Sequence, residues 1–178
     1  DGVIMARVIF SIGVPGSGKT TLLSKLTDKL DAAYISPDSI REEIRGRVDD
    51  HSDDKEIWRI ARARIVENLA VGRDVVFDST FSRADRRRAF IADARAAGAS
   101  SIESIIFDVP LEEILRRNAS REKFVDPDHI RLSHDMRTQD PPSPADGFDV
   151  LVSVDGSGTI SDLMPPSGMQ LIELIRKH

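Results

Sequence analysis

The 178-residue sequence lacks cysteine and contains only one tryptophan and one tyrosine. Without cysteine, no disulfide framework can form. No continuous apolar run approaches the roughly 18 residues that a membrane-spanning helix needs. These absences favour a cytoplasmic protein without a membrane contact.

Positive charge is also in the minority. The sequence holds 25 lysine and arginine residues against 30 aspartate and glutamate residues, a formal net charge of −5. Coating a long nucleic acid requires an extensive basic surface, so this charge disfavours that function but leaves binding of one chain end open. The length and the 40% hydrophobic content suit one domain, which we expect over residues 5–178. We expect residues 1–4 to be a tag remnant or disordered.

Short apolar runs with strand character alternate with segments of helical periodicity. The predicted strands are 7–12, 33–36, 74–77, 102–109 and 150–154. The predicted helices are 19–30, a segment opened by Pro37, one with an apolar face from Ile57 to Leu69, one through Phe90 and Ala94, 111–118, 127–136 and 167–177. Ser82 and Asp85 match a capping box, and 137–147 reads as a proline-rich loop. Because parallel strands need crossover connections, this alternation predicts an α/β fold with a mainly parallel sheet and helices on both faces.

The run Gly13-Val14-Pro15-Gly16-Ser17-Gly18-Lys19-Thr20 fits the pattern G-x-x-x-x-G-K-[ST] and lies between a predicted strand and a predicted helix. In this pattern, backbone N–H groups surround nucleotide phosphates, the lysine reaches the outer phosphates and the last hydroxyl binds Mg²⁺. We therefore predict that ATP, or another NTP, binds with Mg²⁺. The predicted binding residues are Gly16, Ser17, Gly18, Lys19, Thr20 and Thr21, with Thr20 as a metal ligand. An ordinary glycine-rich turn is the alternative.

Asp38 and Arg41 lie three residues apart in the first turns of a predicted helix, and therefore on one face. Asp38 could accept the proton of an attacking hydroxyl, and Arg41 could hold an anionic group of the acceptor. A surface ion pair near a helix start is the competing interpretation. Asp78 ends the third predicted strand, where its carboxylate could bind Mg²⁺ directly or through water, or could simply be a polar turn residue.

Arg117 and Arg121 bracket a segment of mixed charge, 118–123, that resembles a mobile cover over the phosphates. Arginines placed there could neutralise the transferring group, although a solvated helix end explains them equally well. The four histidines, His51, His129, His134 and His178, have no spacing that indicates a metal site or a nucleophile–base pair. The segment 155–159 reads as a turn after the last predicted strand.

Several blocks together resemble the kinase domain of bacteriophage-type polynucleotide 5′-kinases. They are Ser36-Pro37-Asp38-Ser39-Ile40-Arg41, then Phe77-Asp78-Ser79-Thr80 followed by Arg86-Arg87, then Phe107-Asp108-Val109-Pro110 leading to Arg117-Asn118 and Arg121. The resemblance spans residues 7–136 and implies a P-loop kinase domain with a small helical lid. It implies that Asp38 is the general base, Arg41 the clamp on the phosphate of the terminal nucleotide, and Arg117 with Arg121 the lid arginines on ATP.

Two departures from that family affect the prediction. The family often has asparagine after its D-x-T block, whereas Phe81 stands here, so contacts with the acceptor near Asp78 and Thr80 can differ. The family often carries a phosphatase domain that is absent here, so end repair would need a separate phosphatase or ligase. We predict an ATP·Mg²⁺-dependent polynucleotide 5′-hydroxyl kinase, with Asp38, Lys19 and Arg121 as catalytic residues. A small-molecule or toxin-type P-loop kinase is one alternative, and a nucleotide-binding switch without efficient phosphoryl transfer is another.

Overall fold

The computed structural model describes residues 5–14, 16–48 and 54–177. Within them, a six-stranded sheet has the order β2-β3-β1-β4-β5-β6. Its strands are β1 (Arg7–Ile12), β2 (Ala33–Ile35), β3 (Val75–Phe77), β4 (Ser101–Asp108), β5 (Val150–Asp155) and β6 (Ile160–Asp162). The first five strands pair in parallel, whereas β6 pairs antiparallel with β5. The predicted α/β fold with a mainly parallel sheet is confirmed.

Strand β6 was missed, because 150–154 was expected to be the last strand. Its three residues have too little apolar pattern to identify a strand, and a tight turn specifies their pairing. In that turn, the carboxylate of Asp155 accepts hydrogen bonds from the backbone N–H groups of Ser157 and Thr159, both at 2.9 Å. The turn predicted at 155–159 is therefore present, and it joins a hairpin.

Seven α-helices lie in the described ranges. They are α1 (Lys19–Leu30), α2 (Pro37–Arg45), α3 (Asp54–Ala70), α4 (Ala84–Ala96), α5 (Leu111–Ala119), α6 (Pro127–Gln139) and α7 (Met169–Arg176). The predicted loop at 137–147 is partly helical, since α6 continues to Gln139 and a 3₁₀ turn covers Pro144–Asp146. Not one of these helices has both the length and the apolar character needed to cross a membrane.

The predicted capping box at Ser82 and Asp85 is wrong. Helix α4 has Arg83 at its N-cap position, without a side-chain cap. The carboxylate of Asp85 instead accepts two hydrogen bonds from the guanidinium of Arg83, at 3.1 and 2.6 Å. An adjacent arginine fork therefore competes successfully for the acid that a capping box would use.

Both faces of the sheet are covered by helices, because alternate residues of each parallel strand face opposite sides. On one face, α3 and α4 contribute buried side chains such as Ile65 and Phe90. On the other face, α1 and α7 contribute Leu23 and Leu171. A third, smaller core forms around Ile114 of α5 and Ile130 of α6, which together make the small helical lid. These cores fix the carboxyl ends of the parallel strands at one edge, where the candidate site lies.

Candidate active site

The phosphate loop, residues 13–18, connects the end of β1 to the start of α1. Gly16 and Gly18 have φ of 91° and 85°, in the left-handed region that glycine adopts without strain. Gly18 is the N-cap of α1 and provides no side-chain cap, so the first N–H groups of α1 are left for another acceptor. Ser17 is buried, and its hydroxyl has no hydrogen-bond partner among the described residues. A phosphate group would supply the acceptors that this loop lacks. Pro15 lies outside the described residues.

Lys19 lies at the centre of the site. Its ammonium group donates to the carbonyl of Gly13 at 3.0 Å and lies 3.5 Å from a carboxylate oxygen of Asp78 at the end of β3. Burial lowers the pKa of Lys19 below its ordinary value, while the carboxylates of Asp78 and Asp38 oppose that shift and Arg121 adds to it. Side chains from three other predicted site positions therefore act on one ammonium group.

Asp78 has a second partner that the sequence did not indicate. The hydroxyl of Tyr34, on β2, donates a hydrogen bond to its other carboxylate oxygen. Burial, followed by the nearby Asp78 carboxylate, raises the pKa of Tyr34 well above its ordinary value. Tyr34 is therefore a neutral donor that holds Asp78 beside Lys19. No local motif marks this role, because Tyr34 and Asp78 meet only through the parallel pairing of β2 with β3.

The residues present fit a magnesium ion held mainly by nucleotide phosphates. Among the described residues, no group of three or more histidine, aspartate or glutamate side chains could hold a metal ion alone. Mg²⁺ commonly takes only one or two protein ligands and keeps several waters, with substrate phosphates completing its shell. Thr20 is exposed in the first turn of α1, and a carboxylate oxygen of Asp78 lies 3.5 Å from the Lys19 ammonium group. These two side chains are the candidates, and Asp78 would act through water while Tyr34 and Lys19 hold it.

The lid arginines lie against the phosphate loop. A methyl group placed on Gly18 would lie 3.6 Å from a guanidinium nitrogen of Arg117, and one on Gly16 would lie 3.8 Å from a guanidinium nitrogen of Arg121. Arg117 also donates to the carboxylate of Glu113 at 2.8 Å, one turn earlier on α5. The structure therefore brings both predicted arginines to the phosphate loop, and Glu113 orients one of them.

The cover segment is less free than its composition suggested. Asn118 is buried, and its side-chain amide donates to the carbonyl of Val125 at 2.7 Å while its side-chain oxygen accepts from the N–H of Val125 at 3.0 Å. These two hydrogen bonds close the loop between α5 and α6. The loop thus has a fixed base close to Arg121.

Asp38 and Arg41 form an ion pair in the first turns of α2. A guanidinium nitrogen of Arg41 donates to Asp38 at 2.7 Å, and the Asp38 side chain is 75% exposed whereas that of Arg41 is 6% exposed. Arg41 also donates to both carboxylate oxygens of Asp54, at 3.1 and 3.3 Å. Asp54, the first residue of α3, was not identified from the sequence. An acceptor phosphate can therefore reach Arg41 only through its remaining N–H groups, or by displacing Asp54.

The loop after β3 joins the phosphate loop to the aromatic core. The carbonyl of Thr80 accepts from the N–H of Gly13 at 3.2 Å, so this loop supports the phosphate loop directly. Phe81 is buried, with φ of 48°, and its ring packs against Phe10, Phe77 and Phe90. The Phe81 side chain thus belongs to the core, whereas the side chain of the preceding residue, Thr80, is half-exposed.

Arg87 is a structural residue of the core. Arg87 is fully buried and binds Asp146 at 3.1 Å, together with backbone carbonyls. This ion pair fixes the segment before β5 against α4. His129 and His134 both lie on α6, whereas His51 and His178 fall outside the described residues.

A family model described as an AAA domain (AAA_33) matches residues 8–137. The chain belongs to this AAA domain family. The match covers the phosphate loop, α2, the end of β3 and both lid helices, so it includes every predicted site residue. The architecture of this AAA domain is that of a P-loop kinase.

Individual proteins also resemble this AAA domain. An adenylate kinase from Stenotrophomonas maltophilia (strain R551-3) is 28% identical over 140 residues, which cover 74% of this chain and 71% of the relative. A candidate kinase from Chloroflexus aurantiacus J-10-fl has a TM-score of 0.67 at 22% identity, covering 86% of this chain and 87% of that chain.

Two further solved structures share the fold. A chain of the Pnkp1/Rnl/Hen1 RNA repair complex has a TM-score of 0.65 at 20% identity, covering 75% of this chain and 44% of that chain. A gluconokinase from Sinorhizobium meliloti 1021 has a TM-score of 0.56 at 17% identity, covering 98% of this chain and 91% of that chain. At these identities the structural likeness establishes the fold alone, and the acceptor has to be argued from the site.

Proposed function

We propose that this AAA domain transfers the γ-phosphate of ATP to a hydroxyl group, and that the hydroxyl is the 5′ end of DNA or RNA. One observation carries the first part. An exposed carboxylate, Asp38, is held by Arg41 near enough to Lys19 to affect the pKa of its ammonium group. A base in that place can meet a hydroxyl that approaches the γ-phosphate.

An exposed carboxylate favours an alcohol acceptor over a phosphate acceptor. An alcohol has to lose a proton during the transfer, so a nearby base assists it. A nucleoside monophosphate such as adenylate presents an oxygen that is already anionic, and a carboxylate beside it would repel it. Asp38 therefore supports an acceptor class different from that named for the adenylate kinase relative.

In the proposed reaction, the acceptor oxygen bonds to the γ-phosphorus, the bond to the β–γ bridging oxygen breaks, and ADP leaves. Asp38 takes the proton of the acceptor hydroxyl. Lys19, Arg117 and Arg121 stabilise the negative charge on the transferring group and on the leaving oxygen, as cationic side chains do in phosphoryl transfer. Bound Mg²⁺ would neutralise further charge on the β- and γ-phosphates, with Thr20 and Asp78 as its side-chain partners.

Two observations support a nucleic acid end over a small alcohol. The blocks around Asp38, Asp78 and Arg117 are those by which the sequence resembles polynucleotide 5′-kinases, and a chain of an RNA repair complex shares the fold. An acidic protein that binds only one end of a nucleic acid needs few cationic contacts. A role in end repair would then need a separate phosphatase or ligase. A small-molecule kinase is the second candidate, since the gluconokinase likeness covers nearly the whole chain.

Labelled ATP and a matched acceptor panel test the proposal. The panel contains 5′-hydroxyl and 5′-phosphate oligonucleotides of DNA and RNA, a nucleoside, a nucleoside 3′-monophosphate, adenylate and gluconate. We expect label on the 5′-hydroxyl oligonucleotides and none on their 5′-phosphorylated counterparts. Labelling of gluconate or adenylate in preference to every oligonucleotide would overturn the polynucleotide assignment, and Asp38→Asn with the same panel identifies which transfer depends on the proposed base.

A further inference from the structure

Arg86, in the first turn of α4, is a half-buried arginine without a carboxylate partner in the described part of the chain. Its guanidinium instead lies over the ring of Trp58, at 3.9 Å from the ring centroid. Its backbone N–H helps to hold the neighbouring Asp85, but its guanidinium forms no hydrogen bond or ion pair with the described residues. Five N–H donors are thus held in a fixed orientation against an aromatic surface.

The two buried arginines of the described residues are neutralised. Arg87 pairs with Asp146, and Arg41 pairs with Asp38 and Asp54. Removing a charge from water is costly unless an opposite charge or strong hydrogen bonds replace the lost hydration. The cation–π contact with Trp58 offsets part of that cost, but it leaves the edges of the guanidinium without acceptors. For Arg86, a ligand is therefore the missing partner.

Arg86 lies on the acceptor side of the site. Trp58 and Asp54 are four residues apart on α3, so their side chains project from the same face, about 6 Å apart along the helix axis. Arg41 binds Asp54 and Arg86 covers Trp58, so both guanidinium groups lie against this face of α3. Burial lowers the pKa of Arg86. The positive charges of Arg83 and Arg41 lower this pKa further, whereas the carboxylates of Asp85 and Asp54 oppose the shift. Asp54 and Arg41 thus lie close enough to Arg86 to affect the pKa of its guanidinium, and Arg41 in turn pairs with Asp38.

We propose that Arg86 binds an acceptor phosphate, namely the one 3′ to the nucleoside whose 5′-hydroxyl is phosphorylated. This inference rests on the proposed function and makes Arg86 the residue that distinguishes a nucleotide acceptor from a neutral alcohol. Arg41 is then mainly a positioning residue, because both of its carboxylate partners already use its donors. The guanidinium of Arg86 is rigidly stacked and keeps its N–H donors available. This geometry suits bidentate hydrogen bonding to a phosphate.

A binding measurement tests Arg86 without requiring turnover. Trp58 is the only tryptophan of the chain, so its fluorescence reports directly on the guanidinium that covers it. A nucleoside 3′-monophosphate is titrated into the protein with excitation at the red edge of the indole band, and the matching nucleoside is the ligand control. We expect a saturable emission change with the monophosphate, and an apparent affinity about 30-fold weaker in Arg86→Ala, the scale of losing a charged hydrogen bond.

Two variants separate the ligand contact from general effects. Arg86→Lys keeps a cation but loses the fork, so it should recover only part of the affinity. Arg83→Ala removes an exposed arginine three residues earlier that already pairs with Asp85, and it should bind like the unaltered protein. Each variant changes the surroundings of Trp58 or the start of α4, so thermal unfolding is followed in parallel. The affinity is read from the midpoint of the titration rather than from its amplitude.

The outcomes distinguish this inference from the proposed function. Equal midpoints for the unaltered protein and Arg86→Ala, or equal binding of nucleoside and nucleoside 3′-monophosphate, would overturn the role of Arg86. If the Arg86-dependent titration is seen but no 5′-hydroxyl acceptor is labelled by ATP, the anion site stands and the polynucleotide kinase assignment fails. With both results positive, kcat/KM for the nucleoside 3′-monophosphate should fall about 30-fold in Arg86→Ala, a larger loss than for the plain nucleoside.

Discussion

On the donor side of the site, the phosphate loop and Lys19 lie in one unbroken stretch of chain, and the lid arginines come from a single helix and the loop that follows it. On the acceptor side, the side chains come from the starts of three helices, with Asp38 on α2, Asp54 on α3 and Arg86 on α4. The donor chemistry is thus specified locally, whereas the acceptor chemistry depends on how the helices pack. Proteins with this core can consequently keep the same donor and change the acceptor.

The two sides also differ in how charge is balanced. On the donor side, the Asp78 carboxylate at the end of β3 and the lid cation Arg121 have opposite effects on the pKa of Lys19. On the acceptor side, Arg41 is shared by two carboxylates, whereas Arg86 pairs with no carboxylate of the described residues. A substitution on the donor side should therefore affect every acceptor alike. One on the acceptor side should affect acceptors according to their charge and their need for a base.

The largest effect is expected for Lys19→Ala. Removing a cation that contacts the transferring group should lower kcat about a thousandfold with every acceptor, because the donor is common to all of them. Steady-state transfer from labelled ATP to each member of the acceptor panel measures this. Lys25→Ala, an exposed lysine two turns along α1, is the matched control. A loss confined to one acceptor class would contradict a purely donor-side role for Lys19.

The second-largest effect is expected for Asp38→Asn. The amide keeps the shape of the side chain but cannot take a proton, so kcat should fall about a hundredfold or more for hydroxyl acceptors. ATP affinity, measured by equilibrium titration, should change little, and Glu42→Gln on the exposed part of the same helix serves as control. If ATP affinity collapsed while kcat survived, Asp38 would be a structural residue at the start of α2.

The contrast between the two sides also decides what could be predicted from the sequence. The strand–loop–helix around Lys19 and the placement of Asp38 and Arg41 on one helix face follow from short-range patterns. Tyr34 and Asp54 were missed because they meet their partners only after β2 pairs with β3 and α3 packs against α2. Strand β6 was missed for a similar reason, since the turn at Asp155 rather than an apolar pattern specifies it.

Arg121→Ala tests the lid on the donor side. Loss of a guanidinium that lies against Gly16 should weaken ATP binding and lower kcat, together reducing kcat/KM for ATP about 30-fold. Arg121→Lys should recover little of this, because a point charge does not reproduce a planar fork. Arg116→Ala is the control, since that side chain is largely exposed on the preceding helix. Full recovery by lysine would reduce the role of Arg121 to general electrostatics.

Arg41→Ala tests whether the shared arginine serves the base or the acceptor phosphate. If it positions Asp38, kcat should fall about tenfold for nucleoside and nucleoside 3′-monophosphate alike, the scale of losing a charged hydrogen bond from a catalytic group. Parallel kinetics with the two acceptors measure the ratio. A loss seen only with the phosphorylated acceptor would instead support the phosphate clamp implied by the family resemblance.

Tyr34→Phe should give the smallest effect, because it removes one hydrogen bond and keeps the ring. The raised pKa of Tyr34 keeps its hydroxyl protonated at neutral pH, so the phenol donates to Asp78 throughout the working range. Its loss should let the Asp78 carboxylate leave its place beside Lys19, and the Mg²⁺ concentration that gives half-maximal activity should rise about threefold. Activity at saturating Mg²⁺ should be nearly unchanged, because Lys19 and both lid arginines remain. An unaltered Mg²⁺ dependence would limit Tyr34 to a structural role, and it would leave Asp78 as a partner of Lys19 without a part in holding the metal.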